Sequence, residues 1–296
     1  MILTVTLNSA LDVTCAVPAT LAPHTEHRVP EVTERPGGPG VNVARALAAL
    51  GHEAVLTGFA GGPTGEALRA HLAPLPLRDA LVPVRGATRR TVTVTDASGT
   101  TRFTEPGPAI SPAEWAALLA AYDELLPEAR AVALCGSLPP GVQVGAYAHL
   151  IRRARSAGVP VLLDTSGEPL RRGIAARPDI VKPDAEALAA LTGAREPLRA
   201  TRDARRRGAH AVVTSLGPEG LLAVTPDGTW RATPPTRAPG NPPGADDAAV
   251  AGLLSALVED LPWTARLSRA TALAADEAAF AELLPGVTVT ELAAAA

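Results

Sequence analysis

Two glycine-rich segments contain the residues of this chain that are best suited to bind and process a ligand. The first reads GGPGVNVAR over Gly37–Arg45 and predicts a tight turn that opens a helix. Glycines let a ligand approach the backbone closely, and Asn42 would project from the first helical turn. The residues alone leave two interpretations open, a ligand-binding turn and an ordinary turn before a helix.

The second segment reads NPPGADD over Asn241–Asp247 and also opens a predicted helix. A helix N-terminus gathers unpaired N–H groups and a partial positive charge, which suits a phosphoryl group in transfer. A carboxylate at this position could take a proton from an attacking hydroxyl. The simpler alternative is that Asp246 and Asp247 only cap the helix.

The elements that must position these segments alternate between strands and helices, which predicts an α/β fold with a mostly parallel central sheet and helices on both faces. The predicted strands are Ile2–Leu7, Ala54–Gly58, Ala131–Cys135, Pro160–Asp164, Ile180–Lys182 and Ala211–Ser215. The predicted helices are Gly40–Leu50, a helix from the capping box at Ser111 to about Leu126, Ala146–Ala157, one ending near Gly193, Ala245–Glu259 and Trp263–Phe280.

Two segments interrupt this alternation. Asp12–Val32 has no helical period and contains short extended stretches, and Arg89–Thr104 is typical of a hairpin with a turn at Ala97–Gly99. They are either ordinary surface hairpins or a small β-sheet lid over the carboxyl edge of the main sheet. We expect a single domain over residues 1–296, with lid segments at about 12–35 and 88–105.

Composition excludes several classes of protein. The 296 residues carry a net charge of −3 with no basic stripe, which argues against nucleic acid as a partner. The chain lacks a long apolar run for a membrane span, a P-loop, a dinucleotide glycine motif after the first strand, and metal-ligand spacing among its six His. Cys15 and Cys135 lie in apolar runs and predict reduced core residues. The first residues show no cationic leader, so we expect a cytoplasmic protein.

The two glycine-rich segments together resemble the signature regions of the ribokinase-like, phosphofructokinase-B type carbohydrate kinases. The similarity is strongest to the branch of 1-phosphofructokinases and tagatose-6-phosphate kinases, and it extends over nearly the whole chain. Six further motifs follow in the family's order: LNSALD at Leu7–Asp12, EPGP at Glu105–Pro108, GSLPPG at Gly136–Gly141, DTSG at Asp164–Gly167, VKP at Val181–Pro183 and SLGPEG at Ser215–Gly220.

This resemblance implies a ribokinase-like fold and an ATP-dependent phosphorylation of a hexose phosphate with Mg²⁺. The residues implied for the sugar hydroxyls are Asp12, Gly38 and Asn42, and those implied for the phosphate already on the sugar are Arg28, Arg90 and Ser137. The residues implied for ATP are Lys182, Asp184, Ser215, Gly217 and Gly220. In the second glycine-rich segment, Asp247 aligns with the catalytic base, Gly244 and Ala245 with the backbone anion hole, and Asp246 stands between them. The metal ligands are not assigned.

Four positions depart from the family pattern. Pro39 replaces the Lys of the first cluster, and Asp246 replaces the second Gly of GAGD. Asp184 and Ala187 replace an Asn and a Glu that the family uses near magnesium and phosphate. Asp246 is the most serious departure, because a carboxylate about 5 Å from a phosphate charge costs roughly 3 kcal/mol at an effective dielectric of about 20.

These departures keep two other functions open. One is a pseudokinase that binds a sugar phosphate or a nucleotide with little turnover. The other is a kinase for an unphosphorylated sugar or a nucleoside. The sequence also leaves open a homodimer through the lid, because an exposed sheet edge needs cover.

Overall fold

The computed structural model describes residues 1–234, 244–275 and 287–292. Part of the second glycine-rich segment, residues 241–243, and the last residues of the helix predicted over Trp263–Phe280 lie outside the described residues. Within them, the chain forms a large sheet, a small separate sheet and helices that cover both faces of the large one.

The described strands, in chain order, are β1 Ile2–Thr6, β2 Ala10–Ala16, β3 Glu31–Gly37, β4 Ala54–Gly61, β5 Arg78–Val84, β6 Arg89–Asp96, β7 Gly99–Thr104, β8 Ala131–Cys135, β9 Val161–Asp164, β10 Ile180–Val181, β11 Ala211–Ser215, β12 Leu221–Val224, β13 Thr229–Thr233 and β14 Thr288–Glu291. The large sheet has the order β14-β13-β12-β11-β10-β9-β8-β1-β4-β5. Neighbours from β11 to β5 pair in parallel, and β12, β13 and β14 add an antiparallel edge.

The described helices are α1 Pro39–Ala49, α2 Gly62–Leu72, α3 Pro112–Leu125, α4 Ala146–Ser156, α5 Gly167–Ala175, α6 Ala185–Thr192, α7 Pro197–Arg206, α8 Ala245–Val258 and α9 Trp263–Ala275. One core cluster joins α3 to α7 with one face of the large sheet, and another joins α1, α8 and α9 with the opposite face. The central strands are buried on both faces, which explains their continuous apolar sequences. No described helix has the length and apolar composition of a membrane span.

Local sequence signals explain where several helices begin. Ser111 and Glu114 form the predicted capping box of α3, with each side chain bonded to the other's backbone N–H. Pro39 is the first residue of α1, after Gly38 at the N-cap. Because proline suits the first helical position, the departure at Pro39 has a structural role in starting α1.

The small sheet has the strand order β3-β2-β6-β7 and is built from the two segments that interrupt the alternation. β2 pairs antiparallel with β3 and parallel with β6, and β6 and β7 form the predicted hairpin. We call these four strands the lid sheet. The predicted fold class, a ribokinase-like α/β fold with a small additional sheet, is confirmed.

Candidate active site

Polar residues gather at one edge of the large sheet. Parallel strands all end at the same edge, and α/β proteins bind ligands in the crevice outside these carboxyl ends. The residues at or just after five such strand ends are Asn8, Ser137, Asp164, Lys182 and Ser215. The starts of α1 and α8 reach the same edge, because their side chains bond to each other and to this set.

The two glycine-rich segments meet in the structure. Asn42, near the start of α1, donates from Nδ2 to Oδ2 of Asp247 at 2.9 Å, although 205 positions separate them in sequence. Helices α1 and α8 pack against each other and bring the two side chains together. The polar residues of both segments therefore belong to a single site.

Asp247 has the electrostatic environment of a proton acceptor. Burial raises the pKa of its carboxyl group to about 7, and the hydrogen bond from Asn42 opposes this shift. The Asp164 carboxylate raises the pKa of Asp247 further, whereas the Lys182 ammonium lowers it. A carboxyl group that titrates near neutral pH can accept a proton under physiological conditions.

Helix α8 begins at a glycine that no other residue replaces without strain. Gly244 is the N-cap of α8 with φ +89°, in the left-handed region that favours glycine. The backbone N–H groups of the first turn, from Ala245 to Asp247, lack partners within the helix, and the helix dipole adds a partial positive charge. This is the local structure that a backbone anion hole requires.

Asp246 lies in the same turn but contacts different residues. Its carboxylate forms an ion pair with the ammonium of Lys182 and accepts a hydrogen bond from Oγ of Ser215 at 2.6 Å. Asp246 and Asp247 thus bridge α8 to other segments, so helix capping alone does not describe either residue. The two groups that Asp246 contacts belong to the set that the resemblance assigns to ATP.

Asp164 is a site residue to which the sequence analysis gave no role. Burial raises its pKa to about 6, the Lys182 ammonium opposes this shift, and the Asp246 carboxylate adds to it. Asp164 therefore lies within electrostatic reach of the lysine and of both acids of α8. Its position in the DTSG motif, at the carboxyl end of β9, was the signal that could have found it.

The residues predicted to face ATP lie on neighbouring segments. Asp184 follows Lys182 and caps α6, where its Oδ1 accepts from the backbone N of Ala187 at 2.7 Å. Ser215 ends β11, and the turn from Gly217 to Gly220 follows it. The replacement of Asn and Glu by Asp184 and Ala187 thus preserves a helix cap and removes the carboxylate three positions later.

An open groove of about 690 Å³ lies beside the Ser215–Gly217 turn. Its volume is in the range of small-molecule sites. The four carboxylate residues along it are Asp184, Glu186, Glu196 and Glu219, of which Glu219 pairs with Arg231. The groove is therefore mainly acidic, and Arg231 is the basic residue in its lining.

Asp12 lies against the first glycine-rich segment. A Cβ on Gly37 would lie 2.2 Å from Cγ of Asp12, so only glycine leaves room for this carboxyl group. Burial raises the pKa of Asp12, and a hydrogen bond with Thr91 and the charge of Arg89 oppose the shift. Gly38, the residue after Gly37, is the N-cap of α1.

The lid sheet places two adjacent arginines on opposite faces. In the register of β2 with β6, Asp12 pairs with Thr91 and Leu11 pairs with Arg90. Because side chains alternate along a strand, Arg89 shares the face of Asp12 and Arg90 lies on the other face. Arg90 is exposed and binds Glu105 at 3.0 Å, so the structure does not bring Arg90 to Asp12.

Arg89 is held in place by two hydrogen bonds. Its Nε donates to the backbone oxygen of Asn8 at 3.1 Å, and its Nη1 donates to Oγ1 of Thr91 at 3.2 Å. Its Nη2 has no hydrogen-bond partner among the described residues and is available to a ligand. The sequence analysis named Arg90 for the phosphate. Strand register decides which of the two arginines shares the face of Asp12, and register is visible only in the structure.

Of the other two residues predicted to contact the phosphate, Ser137 lies in the site and Arg28 does not. Asn8 donates from Nδ2 to Oγ of Ser137 at 3.1 Å, and the Asn8 backbone also holds Arg89, so Ser137 and Arg89 share a neighbour. Arg28 is exposed between β2 and β3 and forms no ion pair with any of the described residues.

The fold and the site define a class of enzyme. A carboxyl group with a pKa of about 7 lies in the first turn of a helix, near a buried lysine, and an aspartate and an arginine share one face of the lid sheet. This combination suits the transfer of a phosphoryl group to a hydroxyl of a polar ligand.

Comparison with known proteins identifies the family. The pfkB family of carbohydrate kinases matches residues 4–276. A 1-phosphofructokinase of Rhodobacter capsulatus is 42% identical over 284 residues, which cover 93% of this chain and 90% of that protein. The chain belongs to the pfkB family of carbohydrate kinases, and the predictions of this family and of an ATP-dependent sugar kinase are confirmed.

Solved structures agree with this assignment. Phosphofructokinase-2 from Escherichia coli in complex with fructose-6-phosphate is 32% identical with a TM-score of 0.84, covering 93% of this chain and 92% of that chain. A possible 1-phosphofructokinase from Thermotoga maritima is 26% identical with a TM-score of 0.87, covering 99% of this chain and 100% of that chain.

Proposed function

We propose that this carbohydrate kinase transfers the γ-phosphoryl group of ATP to a hydroxyl of a hexose phosphate, in the manner of a 1-phosphofructokinase. The proposal rests mainly on Asp247. Its carboxyl group lies in the first turn of α8, has a pKa of about 7 and accepts a hydrogen bond from Asn42 of the other glycine-rich segment. The names of the relatives, 1-phosphofructokinase and phosphofructokinase-2, support a phosphorylated hexose as acceptor.

In this mechanism, Asp247 accepts the proton of the attacking hydroxyl, whose oxygen forms a bond to the γ-phosphorus. The bond between that phosphorus and the β–γ bridging oxygen breaks, and ADP leaves. Asp12 and Asn42 position the acceptor, and the backbone N–H groups from Gly244 to Asp247 stabilise the negative charge of the transferring group.

The acceptor's own phosphate binds between the lid sheet and the end of β8. Arg89 presents its unpaired Nη2 there, and Ser137 presents a hydroxyl that Asn8 already holds. Arginine suits this role because its planar fork can make two parallel hydrogen bonds to phosphate. Arg89 thus takes the role that sequence reasoning had given to Arg90.

The residues also fit a magnesium ion that arrives with ATP. No cluster of three or more His, Cys, Asp or Glu suited to a metal occurs in the described part of the chain. Magnesium is usually held by one or two carboxylates together with substrate phosphates, so no preformed cage is needed. Asp184 would hold the ion with the phosphates, where it would neutralise part of their charge.

The experiment that tests the proposed function is a screen for ADP release. It compares fructose 1-phosphate, fructose 6-phosphate and tagatose 6-phosphate with unphosphorylated sugars and nucleosides. Turnover with one of the phosphorylated sugars, well above that with the free sugars, supports the proposal. Binding without ADP release would indicate the pseudokinase, and preference for a free sugar or nucleoside would indicate the third alternative.

We expect activity to fall as the pH drops below about 7. Only the ionised form of Asp247 can accept the proton, and burial raises its pKa to about 7, so the base is progressively protonated from there downward. An aspartate with an ordinary pKa would stay ionised to about pH 5. Initial rates from pH 5 to 9 at saturating substrates measure this midpoint. The residual rate of Asp247→Asn serves as control and should lack it, and a flat wild-type profile down to pH 5 would exclude Asp247 as the base.

We further propose that two copies of the chain pair through the apolar face of the lid sheet. The apolar residues of this face, which lies opposite to Asp12 by strand register, are Val13, Cys15, Val32, Val92, Val94 and Phe103, and Glu34, Arg90 and Thr101 share it. Val32 and Phe103 are 55% and 59% exposed, which is unusual for large apolar side chains. A second copy offers the same apolar face and would cover both.

Phe103→Glu is therefore expected to convert a dimer into a monomer, because it replaces an exposed apolar side chain of the proposed interface with a charge. Analytical ultracentrifugation measures the change in mass. Val144→Glu is the matched control, since Val144 is also exposed but lies outside the lid sheet. A wild-type protein that sediments as a monomer at all concentrations would rule out this interface.

A further inference from the structure

The ion pair between Asp246 and Lys182 occupies the groups that are assigned to ATP. The carboxylate of Asp246 contacts the ammonium of Lys182, and one of its oxygens, Oδ1, also accepts the hydrogen bond from Ser215 at 2.6 Å. A carboxylate oxygen and a phosphate oxygen are both anionic acceptors and compete for the same donors. The structure thus places an anion of the chain itself where a nucleotide phosphate would bind.

The partners differ in their freedom to move. The side chain of Lys182 is only 1% exposed, so its ammonium cannot turn to solvent. The side chain of Asp246 is 38% exposed, so solvent reaches its carboxylate directly. When a phosphate and Asp246 compete for Lys182, Asp246 is therefore the group that leaves.

We propose that Asp246 is an internal competitor of ATP, which occupies the phosphate position at Lys182 and Ser215 in the ligand-free enzyme and swings out when the nucleotide binds. This inference rests on the proposed function in that ATP is the phosphoryl donor. The proposal also gives a role to Asp246, the residue that replaces the second Gly of GAGD. The added carboxylate is a device that weakens nucleotide binding, and the anion hole at the start of α8 remains in place.

The lysine is not left without a counter-charge when Asp246 leaves. The charge of Lys182 lowers the pKa of Asp164, so the buried Asp164 carboxyl group interacts electrostatically with the ammonium. The ammonium would thus exchange Asp246 for a phosphate and keep its interaction with Asp164.

The first test is calorimetry of ATP binding without any sugar. Asp246→Asn keeps the size of the side chain and removes its charge, whereas Asp246→Gly restores the residue of the family pattern. We expect both variants to bind ATP about ten- to a hundredfold more tightly than the wild type and the sugar phosphate with unchanged affinity. Since Asn has nearly the same shape as Asp, it keeps the test valid if the glycine variant folds poorly.

A second readout uses the fact that Lys182 is the sole lysine of the chain. Protein labelled with ¹³C,¹⁵N-lysine gives one set of side-chain signals, which reports directly on this ion pair. We expect the signals of ligand-free wild type to differ from those of ligand-free Asp246→Asn, and the two proteins to converge when ATP is bound. This comparison requires no turnover and therefore separates the competitor from the choice of sugar.

Three outcomes would overturn the proposal. Weaker ATP binding in both variants, with and without Mg²⁺, would show that Asp246 positions Lys182 for the nucleotide. Weaker binding only in the presence of Mg²⁺ would make Asp246 a metal ligand. Unchanged ATP affinity with identical lysine signals would remove Asp246 from nucleotide binding. If no sugar phosphate is a substrate but the variants bind ATP more tightly, the proposed function is wrong, and the proposal that Asp246 competes with ATP is still supported.

Discussion

Asp247→Asn is expected to lower turnover by about a hundredfold or more and to leave the binding of both substrates nearly unchanged. Removal of a general base typically costs a factor of about 10² to 10⁴ in rate. Asparagine has the size of aspartate and can still meet Asn42, so the geometry of the site should persist. Steady-state kinetics with the substrate found in the screen gives turnover, and calorimetry gives the two affinities.

A loss of turnover in Asp247→Asn could also come from loss of folding. Measurement of the free energy of unfolding of this variant distinguishes the two explanations. The native pKa of Asp247, about 7, lies above the ordinary value of 3.8. Above pH 7 the folded protein therefore holds an ionised carboxylate that burial disfavours, and this cost fades as the pH falls from 7 toward 4. Asp247→Asn removes the cost, so the variant should be at least as stable as the wild type at pH 8.

The matched control is Asp246→Asn, one position earlier in the same helical turn. It removes the same charge but not the base, so its turnover at saturating ATP should not fall by a comparable factor. Unchanged turnover in Asp247→Asn would reject the mechanism as we have assigned it. An equal loss in both variants would indicate that the charge of this turn matters and the identity of the base does not.

Much of the fold was predictable, because its signals are local. Strands such as Ala131–Cys135 are short apolar runs between polar turns, and α3 begins at a capping box that four residues define. The hairpin at Arg89–Thr104 follows from alternation and a turn. The antiparallel edge β12, β13 and β14 was not predicted, since its strands are short and their pairing depends on neighbours far along the chain.

The motifs identified the site, but the contacts within it could not be derived from sequence. The sequence aligned Asn42 and Asp247 with separate roles, and only the packing of α1 on α8 shows that they share a hydrogen bond. It placed the Asp246 carboxylate near a phosphate charge, and the structure adds that this side chain contacts Lys182 and Ser215. A side chain's direction depends on which partners the fold brings within reach, and no spacing rule contains that information.

Arg89 and Arg90, adjacent residues of β6, are a second case in which the sequence does not give the direction of a side chain. Asp12 pairs with Thr91 in the lid sheet. In this register Arg89 lies on the face of Asp12, and Arg90 lies on the opposite, outer face of the sheet. A shift of register by one residue would exchange the two. Since both arginines precede the same alternating run, the sequence does not distinguish between them.

Arg89→Ala is therefore expected to weaken sugar-phosphate binding by about ten- to a hundredfold and to leave ATP binding nearly unchanged. A charge-assisted contact between arginine and phosphate contributes roughly 1.5–3 kcal/mol. Arg90→Ala, the matched variant one position later, loses only an exposed pair with Glu105, and such pairs contribute about 0–1 kcal/mol. Calorimetry with each ligand in both variants separates the two residues.

The pattern of losses also tests how the lid sheet contributes. Arg89→Lys keeps the charge but not the fork, so it should recover part of the affinity that Arg89→Ala loses. Equal loss of sugar phosphate and ATP in Arg89→Ala would instead indicate damage to the contact between β6 and Asn8, which Arg89 also maintains. A large loss of sugar-phosphate affinity in Arg90→Ala alone would indicate that Arg90 is the residue that contacts the phosphate. That result would require the ligand to reach the outer face of the lid sheet, where a second copy of the chain is expected to bind.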